Sequence, residues 1–184
     1  LQSTFVNTRG VNIQAGLGKN ITLTTSIYES QGRFADYYNA YAVSLKPSGG
    51  NPGTIPGVGI AKQFKTDAFD FPMAEANIKF TANKFFDVQL GYGRNFIGDG
   101  YRSIIQGDAT SPYPFIKINT TFWKIKYTNT YMFLRDITPE NTAENTYASK
   151  YMANHYLSWN VTKRWNLGLF ESVVWSNTNG RGFD

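Results

Sequence analysis

Apolar and polar side chains alternate with a period of two along most of the chain. Val11, Ile13, Ala15 and Leu17 fall on one side, and Asn12, Gln14 and Gly16 on the other. That is the period of a strand, and it lies within Phe5 to Leu17. Beyond Gly18-Lys19-Asn20, Ile21, Leu23, Thr25 and Ile27 alternate with Thr22, Thr24, Ser26 and Tyr28, so a hairpin is predicted. A second and cleaner hairpin sets Ala74, Ala76, Ile78, Phe80 and Ala82 against Glu75, Asn77, Lys79 and Thr81. It turns at Asn83-Lys84 and returns with Phe86, Val88, Leu90 and Tyr92 against Asp87, Gln89, Gly91 and Arg94. Further strands are predicted over Phe115 to Asn119, Trp123 to Phe133, Tyr151 to Val161 and Leu167 to Trp175, with turns at Thr120-Thr121 and Lys163 to Asn166. Gln31 to Lys46 departs from this rhythm. Phe34, Tyr37, Tyr38, Tyr41 and Leu45 recur at three- and four-residue spacing, which predicts a short helix, although Tyr41, Val43 and Leu45 also suit a strand. Pro47 to Gly59 reads as a long Gly/Pro-rich loop inside the domain, since the strand pattern soon resumes.

Short turns therefore alternate with long connections, over 30–70, 98–114 and 136–148, and about eight or nine strands are expected. One strand face is apolar and aromatic; the other is Asn, Gln, Thr, Lys and Glu. Tyr92, Trp123, Trp159 and Trp175 gather near strand ends. Short turns, long outer loops, a lipid-facing apolar side, a polar lumen and aromatic girdles are the marks of an outer-membrane barrel. The fold class expected is all-β, an antiparallel transmembrane β-barrel or a fragment of a larger one. A soluble β-sandwich or lipocalin-like barrel shares the alternation with its apolar face inside. Two features weigh against it: the polar face lacks the Lys/Glu density that solvent usually meets, and turn lengths alternate with unusual regularity. Strand pattern starts with the first residues, and the last strand has no terminal partner. Residues 1–184 are accordingly expected to be one partial barrel domain, since such barrels close with an even strand number.

Composition narrows the function. Aromatics make up 16% of the 184 residues and charged residues 17%, too many rings for a disordered chain. The net charge is +5, but no Lys/Arg run exceeds Lys163-Arg164, so no clustered nucleic-acid groove is expected. The absence of cysteine excludes thiol chemistry. No apolar run approaches the length of a transmembrane helix, which leaves a barrel open. Leu1-Gln2-Ser3-Thr4 lacks the charged start and apolar run of a signal peptide.

The least ordinary stretch is Gly91 to Ser103, GYGRNFIGDGYRS. Its glycines resemble a phosphate loop, but no Gly-Lys-Ser/Thr and no helix pattern follow. Arg94 and Arg102 are expected to pair with Asp99 in a clamp that shapes the loop. Alternatively, with Asn95 and Tyr101, they grip an acidic sugar, since arginine forks suit carboxylates. Glu75, Lys79, Asp87, Gln89, Lys117, Lys124 and Lys126 are expected to face the lumen, with Glu75 and Asp87 balancing Lys79 or Arg94. His155, the single histidine, falls on the apolar face and has no nucleophile motif near it. Asp67 and Asp70 lack the Gly-turned loop of a calcium site. No catalytic residue, metal or cofactor is expected.

Several runs together resemble a family: Asn7-Thr-Arg-Gly-Val11, Pro56-Gly-Val-Gly59 with Lys62, Gly91 to Ser103, and Phe122-Trp-Lys-Ile-Lys-Tyr127. They are similar to the Wzi-like capsule-assembly outer-membrane proteins, and most to the gliding-motility-associated (RemB-type) branch. The resemblance implies a large β-barrel in the outer membrane of a Gram-negative bacterium that holds surface polysaccharide as a lectin rather than an enzyme. For the motility branch it implies a structural or accessory subunit of a gliding or protein-secretion envelope complex. The partners implied are the lipid bilayer, an acidic surface glycan and envelope proteins. A passive diffusion pore is a third, lesser expectation.

Overall fold

A computed structural model describes residues 3–45, 53–64, 67–136, 142–143, 146–177 and 182. In chain order its elements are β1 (Phe5–Leu17), β2 (Ile21–Arg33), α1 (Asp36–Ser44), β3 (Thr54–Ile55), β4 (Gly59–Ile60), β5 (Lys62–Phe64), β6 (Ala68–Asn83) and β7 (Phe86–Gly93). They continue with β8 (Tyr113–Phe122), β9 (Ile125–Asp136), β10 (Thr142–Ala143), β11 (Thr146–Asn160) and β12 (Asn166–Ser176). The long strands pair in the order β1-β2-β6-β7-β8-β9-β11-β12, each antiparallel to the next. The fold is thus all-β and built on one large antiparallel meander. Every short turn lies at one end of it and every long connection at the other, because consecutive strands reverse direction.

Burial along these strands is inverted relative to a water-soluble sheet. In β6, Glu75, Asn77, Lys79 and Thr81 are half-buried, whereas Ala74, Ala76, Ile78 and Phe80 are exposed. Asn119, Thr128, Thr130 and Asn154 are buried on neighbouring strands, while Leu90, Tyr92, Leu167 and Leu169 are exposed. Strand side chains alternate between faces, so away from the long-connection end the inner, concave face is the polar one and the outer face is apolar. The sheet curls far enough for the Tyr147 hydroxyl of β11 to donate to the Leu45 carbonyl at 2.7 Å. The same oxygen lies 2.6 Å from the Thr54 hydroxyl, and both partners belong to the connection between β2 and β6.

Among the described residues, the buried apolar clusters lie toward the long-connection end. There α1 and β3 cover the inner face of β6 through Ala42, Ile55, Phe69 and Phe71, joined by Phe34 and Tyr38. A second cluster joins Tyr113, Phe115 and Met132, with Leu134 and Met152 against it.

Several boundaries differ from the periodicity. The helix stands at Asp36–Ser44, so the strand alternative for Tyr41 to Leu45 falls, and β2 reaches Arg33. Within the expected loop Pro47 to Gly59, residues 47–52 lie outside the described residues, and Thr54–Ile55 pairs with Gly59–Ile60. The turn expected at Thr120-Thr121 lies instead at Trp123-Lys124, because Thr120, Thr121 and Phe122 continue to pair with Tyr127, Lys126 and Ile125. Trp123 adopts a φ of 53° there, a value that two-residue hairpin turns require but that the residue type does not advertise.

Candidate functional site

The stretch from Arg94 to Pro112 leaves the end of β7 and folds back over the inner face. Its hub is Ser103. The Ser103 hydroxyl donates to the Ile97 carbonyl and accepts the amides of Ile105 at 3.0 Å and Gln106 at 3.2 Å. The Ile97 amide donates to the Gln106 carbonyl at 3.0 Å. Gly98, at a φ of 147°, takes a backbone conformation open to glycine. The loop is fastened to the sheet at Tyr113, whose hydroxyl accepts the Asn95 amide at 3.2 Å and the Gln106 side-chain amide at 2.8 Å.

Arg94 does not join the expected clamp with Asp99 and Arg102. Its Nε donates to Glu75 Oε1 at 2.6 Å, and its Nη1 reaches the Asp108 carbonyl at 3.5 Å. The reason is register: Ala76 pairs with Tyr92, so Glu75 stands beside the end of β7 where Arg94 leaves the strand. Asp99, Tyr101 and Arg102 are exposed, and Tyr101 has 95% of its surface open. Asn95 is buried, with no hydrogen-bond partner for its side-chain amide among the described residues. The stretch therefore divides into a buried root and an exposed tip, and does not form one anion-gripping cluster.

Below the loop, toward the short turns, the inner face is polar. Lys79 pairs with Asp87 at 3.6 Å. Asn119 donates to Asp87 at 2.9 Å, and the Thr128 hydroxyl donates to Asn119 at 2.8 Å. This chain crosses β6, β7, β8 and β9. The next lateral row runs Lys79, Gln89, Lys117, Thr130, Asn154 through successive strand pairings. Lys117 also lies 5.5 Å from the Phe115 ring centre. Lys124 departs from its expected lumen position. It sits in the turn, over the Trp123 ring at 5.1 Å, and donates to the Val161 carbonyl at 3.2 Å. Glu75, Lys79, Asp87, Gln89, Lys117 and Lys126 share the inner face by register parity.

Between loop and polar floor lies a cavity of about 640 Å³. Phe96, Ile97 and Asp99 border it from the loop; Lys117, Lys126 and Tyr156 border it from the strands. The size suits a sugar-sized guest, and ammonium groups beside amides and hydroxyls suit an anionic, hydrogen-bonding one. Sequence reasoning missed Gln106 and Tyr113, which anchor the loop, and Thr130 and Asn154 in the buried row. The latter were readable in principle, since both share strand parity with the lumen lysines.

Comparison with family models, with curated proteins and with solved structures gives no match for this chain.

Proposed function

We propose that this chain is part of an outer-membrane β-barrel, resembling the Wzi-like capsule-assembly proteins, that binds or anchors surface polysaccharide without catalysis. The observation that carries the membrane placement is the inverted burial: polar side chains inside and a continuous apolar face outside, over Ile13, Ile27, Ile78, Leu90 and Leu169. A chain in water would hide that face, and a bilayer supplies its solvent. Phe122, Trp123 and Trp165, all exposed at the short-turn end, match an interfacial aromatic girdle. The long connections at the opposite end would face the cell exterior and meet the glycan. The test is retention of surface polysaccharide by cells carrying the intact protein and by cells lacking it. Equal retention, with the protein confirmed in the outer membrane, would overturn the glycan role.

One observation favours a second reading, a subunit of a gliding or secretion envelope complex. Asn129, His155 and Glu171 align laterally across β9, β11 and β12 on the face that also carries Tyr127, Leu157 and Leu169. His155 Nδ1 lies 2.6 Å from Asn129 Oδ1 and 3.1 Å from the Tyr127 hydroxyl. A polar row is costly against lipid tails, and contact with another protein would relieve it. Recovery of a stoichiometric partner that Glu171→Leu releases supports this reading; recovery of the barrel alone removes it.

A further inference from the structure

The inner-face cavity lies beneath the Arg94–Pro112 loop and extends from it toward the short turns. Its walls reach Asn160 and Asn166 beside the last short turn, whereas the apolar cluster of Tyr113, Phe115 and Met132 fills the face toward the long connections. A guest would therefore enter from the short-turn side, away from any surface glycan. This makes the cavity a second site, separate from the function proposed above.

Its charge is uneven. Asp87 is occupied by Lys79 and Asn119. Lys117 and Lys126 have no carboxylate within ion-pair distance among the described residues. Asp99, on the loop between Gly98 and Gly100, borders the same cavity and likewise makes no ion pair there. In the row beside Lys117, Thr130 and Asn154 are each 0% exposed. The Thr130 hydroxyl and both side-chain amide atoms of Asn154 have no hydrogen-bond partner among the described residues, and both side chains lie behind the cavity wall rather than on it. Buried polar atoms of this kind normally have a partner.

We infer that this chamber is a binding site for a sugar-sized ligand bearing one carboxylate or phosphate. Lys117 and Lys126 hold the anion, and Asp99 is a loop carboxylate that competes with it for them. Two lysines against one aspartate leave a surplus of one positive charge, which fits a singly charged acid. The Tyr156 and Phe96 side chains that border the space offer apolar surface to a sugar ring, and Asn119 and Thr128 on the floor offer hydrogen bonds to its hydroxyls.

The test titrates the full chain, folded in detergent micelles, with glucuronate, glucose 6-phosphate and glucose by calorimetry. At least one acid binds and glucose does not; the stronger acid identifies the anion as carboxylate or phosphate. Lys117→Met and Lys126→Met each weaken binding about tenfold, the worth of one charge-assisted hydrogen bond. Asp99→Asn strengthens it about threefold at low salt, because a competing charge is removed. Heat-modifiable gel mobility verifies folding of the lysine variants. Asp99→Asn lies on an exposed loop and tests the site without touching the strands. Equal binding of glucose, no binding of either acid in the millimolar range, or weaker binding by Asp99→Asn overturns the proposal. Surface polysaccharide retained equally by wild type and the double lysine variant leaves the outer reading intact, so the two sites fail separately.

Discussion

Arg94 and Glu75 meet at 2.6 Å where β7 ends beside β6, and this contact sets the root of the loop that folds over the inner face. Both side chains keep more than a quarter of their surface exposed, so solvent screens the pair and its coupling should be about 1 kcal/mol. A double-mutant cycle of Glu75→Gln and Arg94→Met, read by urea unfolding in micelles, measures it. Asp99→Ala, in the same assay, should leave stability unchanged, because Asp99 makes no ion pair among the described residues. A loss with Asp99→Ala as large as with Arg94→Met would restore the clamp that the sequence led one to expect.

Gly91 supplies a second prediction. It faces inward in β7, and a Cβ there would stand 2.7 Å from Asn77 Cβ and 2.9 Å from the Phe115 ring. The Ala76 carbonyl oxygen is equally near, at 2.9 Å, so neighbours cannot all step aside. Gly91→Ala should cost about 1–3 kcal/mol by overpacking, visible as a lowered urea midpoint. Gly16, with open space around its missing Cβ, should accept alanine without that loss.

The strand architecture was legible in the sequence because period two is imposed residue by residue, as at Ala74 to Thr81. The order of short turns and long connections followed from the same pattern. The site was less legible. Arg94 pairs with Glu75 through strand register, and register depends on both partners of a ladder. Asp99, only five positions from Arg94, looked the nearer partner because sequence distance is a poor guide inside a folded-back loop. Lys124 kept the strand parity of its neighbours on paper, but the positive φ of Trp123 turns the chain one step before it. Gln106 and Tyr113 carry no motif; they matter because the loop returns to where they stand.

Tyr38 gives a pH dependence outside the strands. It lies in α1, packs on Phe34 at 4.8 Å between ring centres, and its hydroxyl donates to the Pro56 carbonyl at 3.4 Å. Burial first, and the neighbouring Tyr37 second, raise its pKa above the ordinary tyrosine value. The fold thus favours the neutral phenol. Its contribution is fully present below the unfolded tyrosine pKa of about 10 and is lost as pH rises through the higher folded value. Near-ultraviolet circular dichroism should show the packing around α1 loosening above that pH in the wild type. Tyr38→Phe, with no proton to lose, should hold its signal further into alkali. Identical profiles would mean that this phenol does not govern the docking of α1.

Ile78 and Asn77 are adjacent in β6 and point to opposite faces, Ile78 exposed on the apolar side and Asn77 half-buried on the polar side. In a water-soluble sheet, arginine at the exposed position would be nearly neutral, and lysine at the inner one would be the costly change. Membrane placement reverses the order. On the membrane placement proposed above, Ile78→Arg would set a cation against lipid and should cost about 2–4 kcal/mol at mid-bilayer depth. Asn77→Lys adds a cation to a polar interior that already holds Lys79 and Lys117, where like-charge repulsion is softened by water. The measurement is folding yield into phosphatidylcholine vesicles, scored by heat-modifiable mobility, with the same variants in micelles as control. Ile78→Arg should fail in vesicles while Asn77→Lys folds. The opposite order would place the apolar face in a protein interior and remove the barrel from the bilayer.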